Sequence, residues 1–150
     1  MSVDSQYTVL IVEDDTAIRT VLANALQIEG YRVLTAGDGM QGLGALETER
    51  PHLVLLDLQL PGMDGPTMIA TARQRGLQPI VCVLSARPDA ASTAAEIGAA
   101  AVVEKPFDLT TLLDLTETLL GSPRDPLGQS EAPIAVSVQP DYSGSPPRGA

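Results

Sequence analysis

Five short aliphatic or β-branched runs, at 8–12, 32–36, 53–57, 80–84 and 101–103, are separated by segments long enough for a helix and a turn. This alternation constrains the fold more than any other feature. Runs such as Val9-Leu-Ile-Val12 and Leu53-Val-Leu-Leu56 do not alternate with polar residues, so strands made from them must be covered on both faces. Parallel strands need long crossovers, and helices supply them. The intervening segments carry apolar residues near a 3.6-residue period. The first places Ile18, Val21, Leu22, Ala25 and Leu26 on one face and ends at Gly30, a residue suited to the left-handed position after a helix. A second helix is predicted over 39–49, stopped by Pro51. The third opens with Gly65-Pro66, which suits the first helical turn, and carries Met68, Ile69 and Ala72. A short fourth helix is expected over 88–97, ending at Gly98. The last follows Asp108, a predicted N-cap, and presents Leu109, Leu112, Leu113, Leu119 and Leu120. Five such units predict an α/β protein built on a parallel sheet.

Composition narrows the functional classes. The 150 residues match one domain, and 44% hydrophobic with 19% charged residues is the balance of a globular protein with a core. No apolar run approaches the roughly 20 residues of a membrane-spanning helix. Met1-Ser-Val-Asp4 shows neither a basic stretch nor an apolar segment of a secretory signal. One cysteine, Cys82, excludes an internal disulfide or a cysteine zinc cluster. Together these predict a cytoplasmic protein. Nine basic against nineteen acidic residues give a net charge of −10, with no basic run and only Tyr7, Tyr31, Phe107 and Tyr142 as aromatics. That combination predicts no direct contact with nucleic acid or with a membrane surface. Residues 121–150 hold six of the twelve prolines, four glycines and five serines, and are expected to be a disordered tail. Within them, Ile134–Val138 is the one stretch patterned to pair as a strand or to dock on a partner.

Ligands of open α/β sheets bind at the carboxyl ends of the strands, so the residues just after each run carry the functional information. The first run is followed by Glu13, Asp14 and Asp15; the third ends at Asp57, the fourth at Ser85; the fifth leads into Glu104-Lys105-Pro106. Lys105 is the only lysine in the chain. Like charges 4 Å apart repel by roughly 4 kcal/mol at an effective dielectric of 20. Glu13, Asp14 and Asp57 therefore need more positive charge than Lys105 supplies, and a hard divalent cation with oxygen ligands, Mg²⁺, would provide it. A carboxylate beside such a cation and an ammonium can attack a phosphoryl group, with Ser85 donating to one of its oxygens. One acid at a strand end is explained by helix capping, as Asp15 is; acids, a hydroxyl and a lone lysine on successive strand ends are not.

These residues resemble a known family. Val9-Leu-Ile-Val-Glu-Asp-Asp15, Leu53-Val-Leu-Leu-Asp57, Leu60-Pro-Gly-Met-Asp-Gly65, Ser85-Ala86 and Lys105-Pro106-Phe107 are similar to the motifs of the receiver (CheY-like) domain of two-component response regulators, over about residues 7–120. The resemblance implies the flavodoxin-like (βα)5 fold, a doubly wound parallel sheet in the order 2-1-3-4-5. It also implies Asp57 as phosphoacceptor, and Mg²⁺ held by Glu13, Asp14, Asp57 and the backbone carbonyl of Gln59. By the same resemblance Ser85 is the switch hydroxyl, Lys105 the phosphate-binding lysine, and Pro106 follows a cis peptide bond. The implied partners are a sensor histidine kinase or histidine phosphotransfer protein and a downstream protein target. With no effector domain in the sequence, the expectation is a stand-alone receiver, a signalling protein and not an enzyme.

Two departures from the family pattern bear on output. Val102 stands where the family places Tyr or Phe, three residues before the lysine, and the interval from Ser85 to Lys105 is about two residues short. A branched valine has few χ1 choices and no ring to reorient, so coupling is expected to run through the loop after Ser85, including Arg87 and Pro88. Two other readings compete: an interaction module that never turns over phosphate, and a small dinucleotide-binding oxidoreductase domain. The second rests on Gly37-Asp-Gly-Met-Gln-Gly42, a G-x-G-x-x-G after a strand, with Asp57 near the ribose-binding distance. His52, the only histidine, is expected at a surface or edge, and Cys82 as a buried inert thiol.

Overall fold

The computed structural model describes residues 7–121. Its elements alternate as the apolar runs predict: β1 (Thr8–Val12), α1 (Thr16–Glu29), β2 (Arg32–Ala36), α2 (Gly39–Glu49), β3 (Leu53–Asp57), α3 (Gly65–Gln74), β4 (Ile80–Ser85), α4 (Ala90–Glu96), β5 (Ala101–Glu104) and α5 (Leu109–Leu120). All strand pairs are parallel, in the order β2-β1-β3-β4-β5. This is the flavodoxin-like order. The expected tail and its Ile134–Val138 stretch lie outside the described residues, which stop at Gly121.

Strand side chains point alternately to the two faces, and each face has its own core. Leu10, Val12, Val54, Leu56, Val81 and Val83 pack with Leu43 and Leu46 of α2, Met68 and Ile69 of α3, and Ala90 and Ala94 of α4. Val9, Ile11, Leu53, Leu55, Cys82 and Leu84 pack with Leu22 and Leu26 of α1 and Leu112, Leu115 and Leu119 of α5. Burial on both sides is what removes alternation from β1 and β3, which are buried at every position. Cys82 is enclosed there, and burial pushes its thiol up to about 12.

Helix ends follow local chemistry. Asp15, Asp38 and Asp64 are N-caps in extended backbone, their carboxylates accepting from the amides of Ile18, Gln41 and Thr67 at 3.0, 2.8 and 2.9 Å. Gly30 closes α1 in the left-handed region. Arg50, ahead of Pro51, takes a left-handed φ of 49° and ends α2. Three expectations differ in detail. Asp108 starts α5 without a side-chain cap bond, and the inward face of α5 is Leu112, Leu115, Thr116 and Leu119, with Leu109, Leu113 and Leu120 on its flanks. Thr116 fits among leucines because its hydroxyl donates to the Leu112 carbonyl at 2.9 Å. On α1, Val21 lies outside the buried face and is 53% exposed.

The glycines of Gly37–Gly42 have packing explanations. A Cβ on Gly39 would stand 2.2 Å from the Met63 carbonyl oxygen, and one on Gly42 would stand 2.7 Å from the Met68 sulfur. The Asp38 carboxylate already occupies the start of α2, where a pyrophosphate would bind. Strand β2 is moreover at the sheet edge, with β1 between it and Asp57. The dinucleotide reading has no structural footing here.

These environments predict opposite signs for two nearby substitutions. Gly39→Ala forces a methyl into backbone and should cost about 1–3 kcal/mol. Gly44→Ala, on the exposed side of α2 with open space at its Cβ, should stabilise by about 0.5–1 kcal/mol. Urea unfolding of both variants measures the difference; equal effects would refute the packing account.

Candidate functional site

The register of β1 against β3 pairs Val12 with Leu56, so the next residue on each strand, Glu13 and Asp57, leaves the sheet side by side. Hydrogen bonds extend this order past the strand ends. Glu13 N–H donates to the Ala36 carbonyl at 3.1 Å, and Lys105 N–H donates to the Ser85 carbonyl at 2.9 Å. The Lys105–Pro106 peptide bond is cis. Arg19, one turn into α1, donates to the Glu13 carbonyl at 2.8 Å and ties the helix to the end of the strand.

Lys105 bridges two acids. Its Nζ lies 2.9 Å from Glu13 Oε1 and 3.2 Å from Asp57 Oδ2. The second carboxylate oxygens are held by backbone: Asp15 N–H donates to Glu13 Oε2 at 3.2 Å, and Gln59 N–H to Asp57 Oδ1 at 3.1 Å. Glu13 is 1% exposed and Asp57 6%, whereas Asp14 is open to solvent. One carboxylate oxygen from each of Glu13, Asp14 and Asp57 falls within 4.8 Å of the others, a spacing that could hold a metal ion. Ser85 is buried beside them, its Oγ accepting from the Arg87 amide at 3.0 Å. Asp15 faces away as the α1 cap.

The electrostatics follow from this burial. Loss of water pushes the Glu13 carboxyl above the usual carboxylate range; the Lys105 and Asp15 hydrogen bonds oppose the rise and the Asp57 charge adds to it. For Lys105, burial favours the neutral amine, but the hydrogen bond to Glu13 and the charges of both acids together hold its pKa above the ordinary value. The ammonium is therefore secured by an acid excess that it does not balance.

Thus Glu13, Asp14, Asp57, Ser85, Lys105 and the Gln59 backbone meet at one sheet edge. His52 is not among them: it precedes β3 at the opposite end, where its Nδ1 accepts from Thr8 N–H at 3.1 Å and its ring meets Tyr7 edge-on at 5.4 Å. Arg19 was not legible as a site residue, because an arginine within a helix carries no local signal of the carbonyl it reaches. Val102 is half-buried against the core of the α2–α4 face. Helix α4 is only seven residues long, as the short interval before Lys105 predicts.

Comparison with known proteins fits this geometry. The model of the response regulator receiver domain family matches residues 9–117. Sporulation initiation phosphotransferase F of Bacillus subtilis is 33% identical over 114 residues, covering 75% of this chain and 92% of that protein. The transcriptional regulatory protein CseB of Streptomyces avermitilis is 36% identical over 138 residues, covering 91% of this chain and 58% of that protein. CseB of Streptomyces coelicolor is 39% identical over 110 residues, 72% of this chain and 47% of that protein, so this chain spans about half the length of these regulators. Among solved structures, the CheY-like receiver domain protein of Methanospirillum hungatei superposes with a TM-score of 0.70 at 30% identity, covering 75% of this chain and 92% of its own. The chain belongs to the receiver-domain family of two-component response regulators. Receiver domains are signalling domains, not classical enzymes, and generally bind Mg²⁺. No helix among the described residues is long and apolar enough to cross a membrane.

The raised pKa of Glu13 gives a signed prediction. A carboxyl whose folded pKa exceeds its unfolded value contributes most to stability below the unfolded pKa of about 4.3, and that contribution fades as pH rises through the folded value. Glu13→Gln should therefore raise the metal-free melting temperature at pH 7, and its advantage should shrink as pH falls toward 4.3. A variant less stable than the parent at pH 7, with the gap closing in acid, would show that the Lys105 pair dominates burial.

Proposed function

We propose that Asp57 accepts a phosphoryl group from a phosphohistidine on a sensor kinase or phosphotransfer protein, and that the phosphorylated domain signals by contact with another protein. The observation that carries this reading is the Lys105 ammonium held at 2.9 and 3.2 Å between Glu13 and Asp57, with three carboxylates within 4.8 Å. An Asp57 oxygen attacks phosphorus; the O–P bond forms as the P–N bond breaks, and the imidazole nitrogen leaves with that electron pair and is protonated. Lys105 neutralises charge on the phosphoryl oxygens. Ser85 turns its hydroxyl from the Arg87 amide to donate to one of those oxygens. Gln59 N–H keeps the Asp57 carboxylate oriented with one oxygen fixed.

The donor set fits a hard divalent cation: oxygen ligands only, mixed burial, and more negative charge than one lysine offsets. Glu13, Asp14, Asp57 and the Gln59 carbonyl would hold Mg²⁺. When bound, that ion supplies charge neutralisation on the transferring phosphoryl group. A partner has an apolar approach to the site, since Ile18 and Val21 of α1 and Phe107 after β5 line a groove beside Lys105. Similarity to transcriptional regulatory proteins supports signalling output as the role of this unit, 7–120. A module that never turns over phosphate gives no account of why Asp57 and Glu13 are both buried and both bonded to Lys105.

Incubation with acetyl phosphate and Mg²⁺, followed by intact-mass analysis, tests the assignment. One phosphoryl group should be added to the wild type and none to Asp57→Asn. Full labelling of Asp57→Asn would move the acceptor elsewhere.

A further inference from the structure

The charge at this site is unbalanced before phosphorylation and more so after it. An added phosphoryl group brings further negative charge next to a single lysine. On the α4 side of the site a further cation is Arg87, which lines a groove with Asp14, Gln59, Asp64, Thr93 and Glu96. Among those lining residues it is the one cation. Its backbone is tied to the site, since its N–H donates to Ser85 Oγ at 3.0 Å.

Its side chain is engaged elsewhere. The guanidinium makes a two-pronged pair with Asp89, Nε to Oδ1 at 3.0 Å and a terminal nitrogen to Oδ2 at 2.8 Å. Asp89 is the residue before α4, the N-cap position, yet it makes no side-chain cap bond. Its backbone, at φ −94° and ψ 13°, is also outside the extended region that Asp15, Asp38 and Asp64 use when they cap. Both carboxylate oxygens are engaged by Arg87, and the amides of the first α4 turn have no carboxylate cap of the kind that starts α1, α2 and α3. The other end of α4 is fixed: Arg73 of α3 donates to the Ile97 carbonyl at 2.5 Å.

We propose that Arg87 is the second cation of the phosphoryl site, and that its transfer from Asp89 to a phosphoryl group on Asp57 frees Asp89 to cap α4. The Arg87–Asp89 pair is exposed, and exposed pairs are weak, so a phosphoryl group competes well for the guanidinium. Arginine presents parallel donors that match phosphate oxygens as readily as carboxylate oxygens. Once released, Asp89 moves into extended backbone to accept from an amide of the first turn, as an N-cap does. Because Arg73 holds the far end, this reorganises the start of α4 and the preceding loop and leaves the rest of the helix in place. The route needs no aromatic ring, and Val102 provides none. Arg87 also lowers the pKa of Asp89 through its hydrogen bond and, after the Thr67 bonds, contributes to lowering that of Asp64, so its charge reaches Asp64 in the lining of the groove.

The proposal rests on Asp57 as phosphoacceptor, and one set of measurements separates the two. Amide NMR maps are recorded for wild type, Arg87→Gln and Asp89→Ala before and after acetyl phosphate with Mg²⁺, with occupancy of each sample read by intact mass. In the wild type, phosphorylation should shift the amides of residues 89–93. Arg87→Gln should show those shifts before any phosphoryl donor is added, because Asp89 is already free. Asp89→Ala should show them in neither state. Shifts at 89–93 that persist in phosphorylated Asp89→Ala, or an Arg87→Gln map that matches unphosphorylated wild type there, would overturn the transfer while leaving Asp57 in place. Absence of a phosphoryl mass on the wild type would remove the acceptor itself, and the transfer with it.

Discussion

Parallel, in-register pairing of β1 with β3 is the constraint from which the site follows. Once Val12 sits beside Leu56, Glu13 and Asp57 must emerge together, and both are too deeply placed to be left to solvent. The β4–β5 pair, Ser85 beside Glu104, delivers Ser85 and then Lys105 to the same edge. A lysine between two buried acids satisfies them geometrically but leaves the cluster, with Asp14, short of positive charge. That shortfall supports the proposal of a cation and a phosphoryl group at this edge, and the two apolar cores of the sheet offset the cost of assembling it.

Charge and conformation are connected through three loops, each of which begins at a residue of the proposed site and ends at an aspartate in the N-cap position of a helix. Glu13 leads to the Asp15 cap of α1, Asp57 through Gln59 to the Asp64 cap of α3, and Ser85 through Arg87 to Asp89 before α4. Only the third of these loops has its capping carboxylate held by a neighbouring arginine. One of the two helix starts without a carboxylate cap bond is thus next to the residue that would sense a phosphoryl group.

Much of this was legible in the sequence because the governing signals are local. Unbroken aliphatic runs marked β1 and β3, glycine and proline marked the ends of α1 and α2, and the acids after the strands marked the site. What stayed hidden depends on distant groups. The inward face of α5 turned on Thr116, whose hydroxyl is satisfied by its own helix and so packs like an aliphatic residue. The glycines at 39 and 42 suggest a phosphate loop in sequence, but backbone and sulfur from α3 and its preceding loop explain them. Arg19, Arg73 and Arg87 look like ordinary surface charges until the carbonyls and carboxylate they reach are seen.

The proposed cation site takes the strand-end acids and leaves out Asp15, whose carboxylate is engaged as the α1 cap. A calorimetric titration of wild type, Asp14→Asn and Asp15→Asn with MgCl₂ tests it most directly. The expected result is binding to the wild type, affinity reduced at least about tenfold in Asp14→Asn, and near-wild-type affinity in Asp15→Asn. Equal affinity for Asp14→Asn and wild type would contradict it.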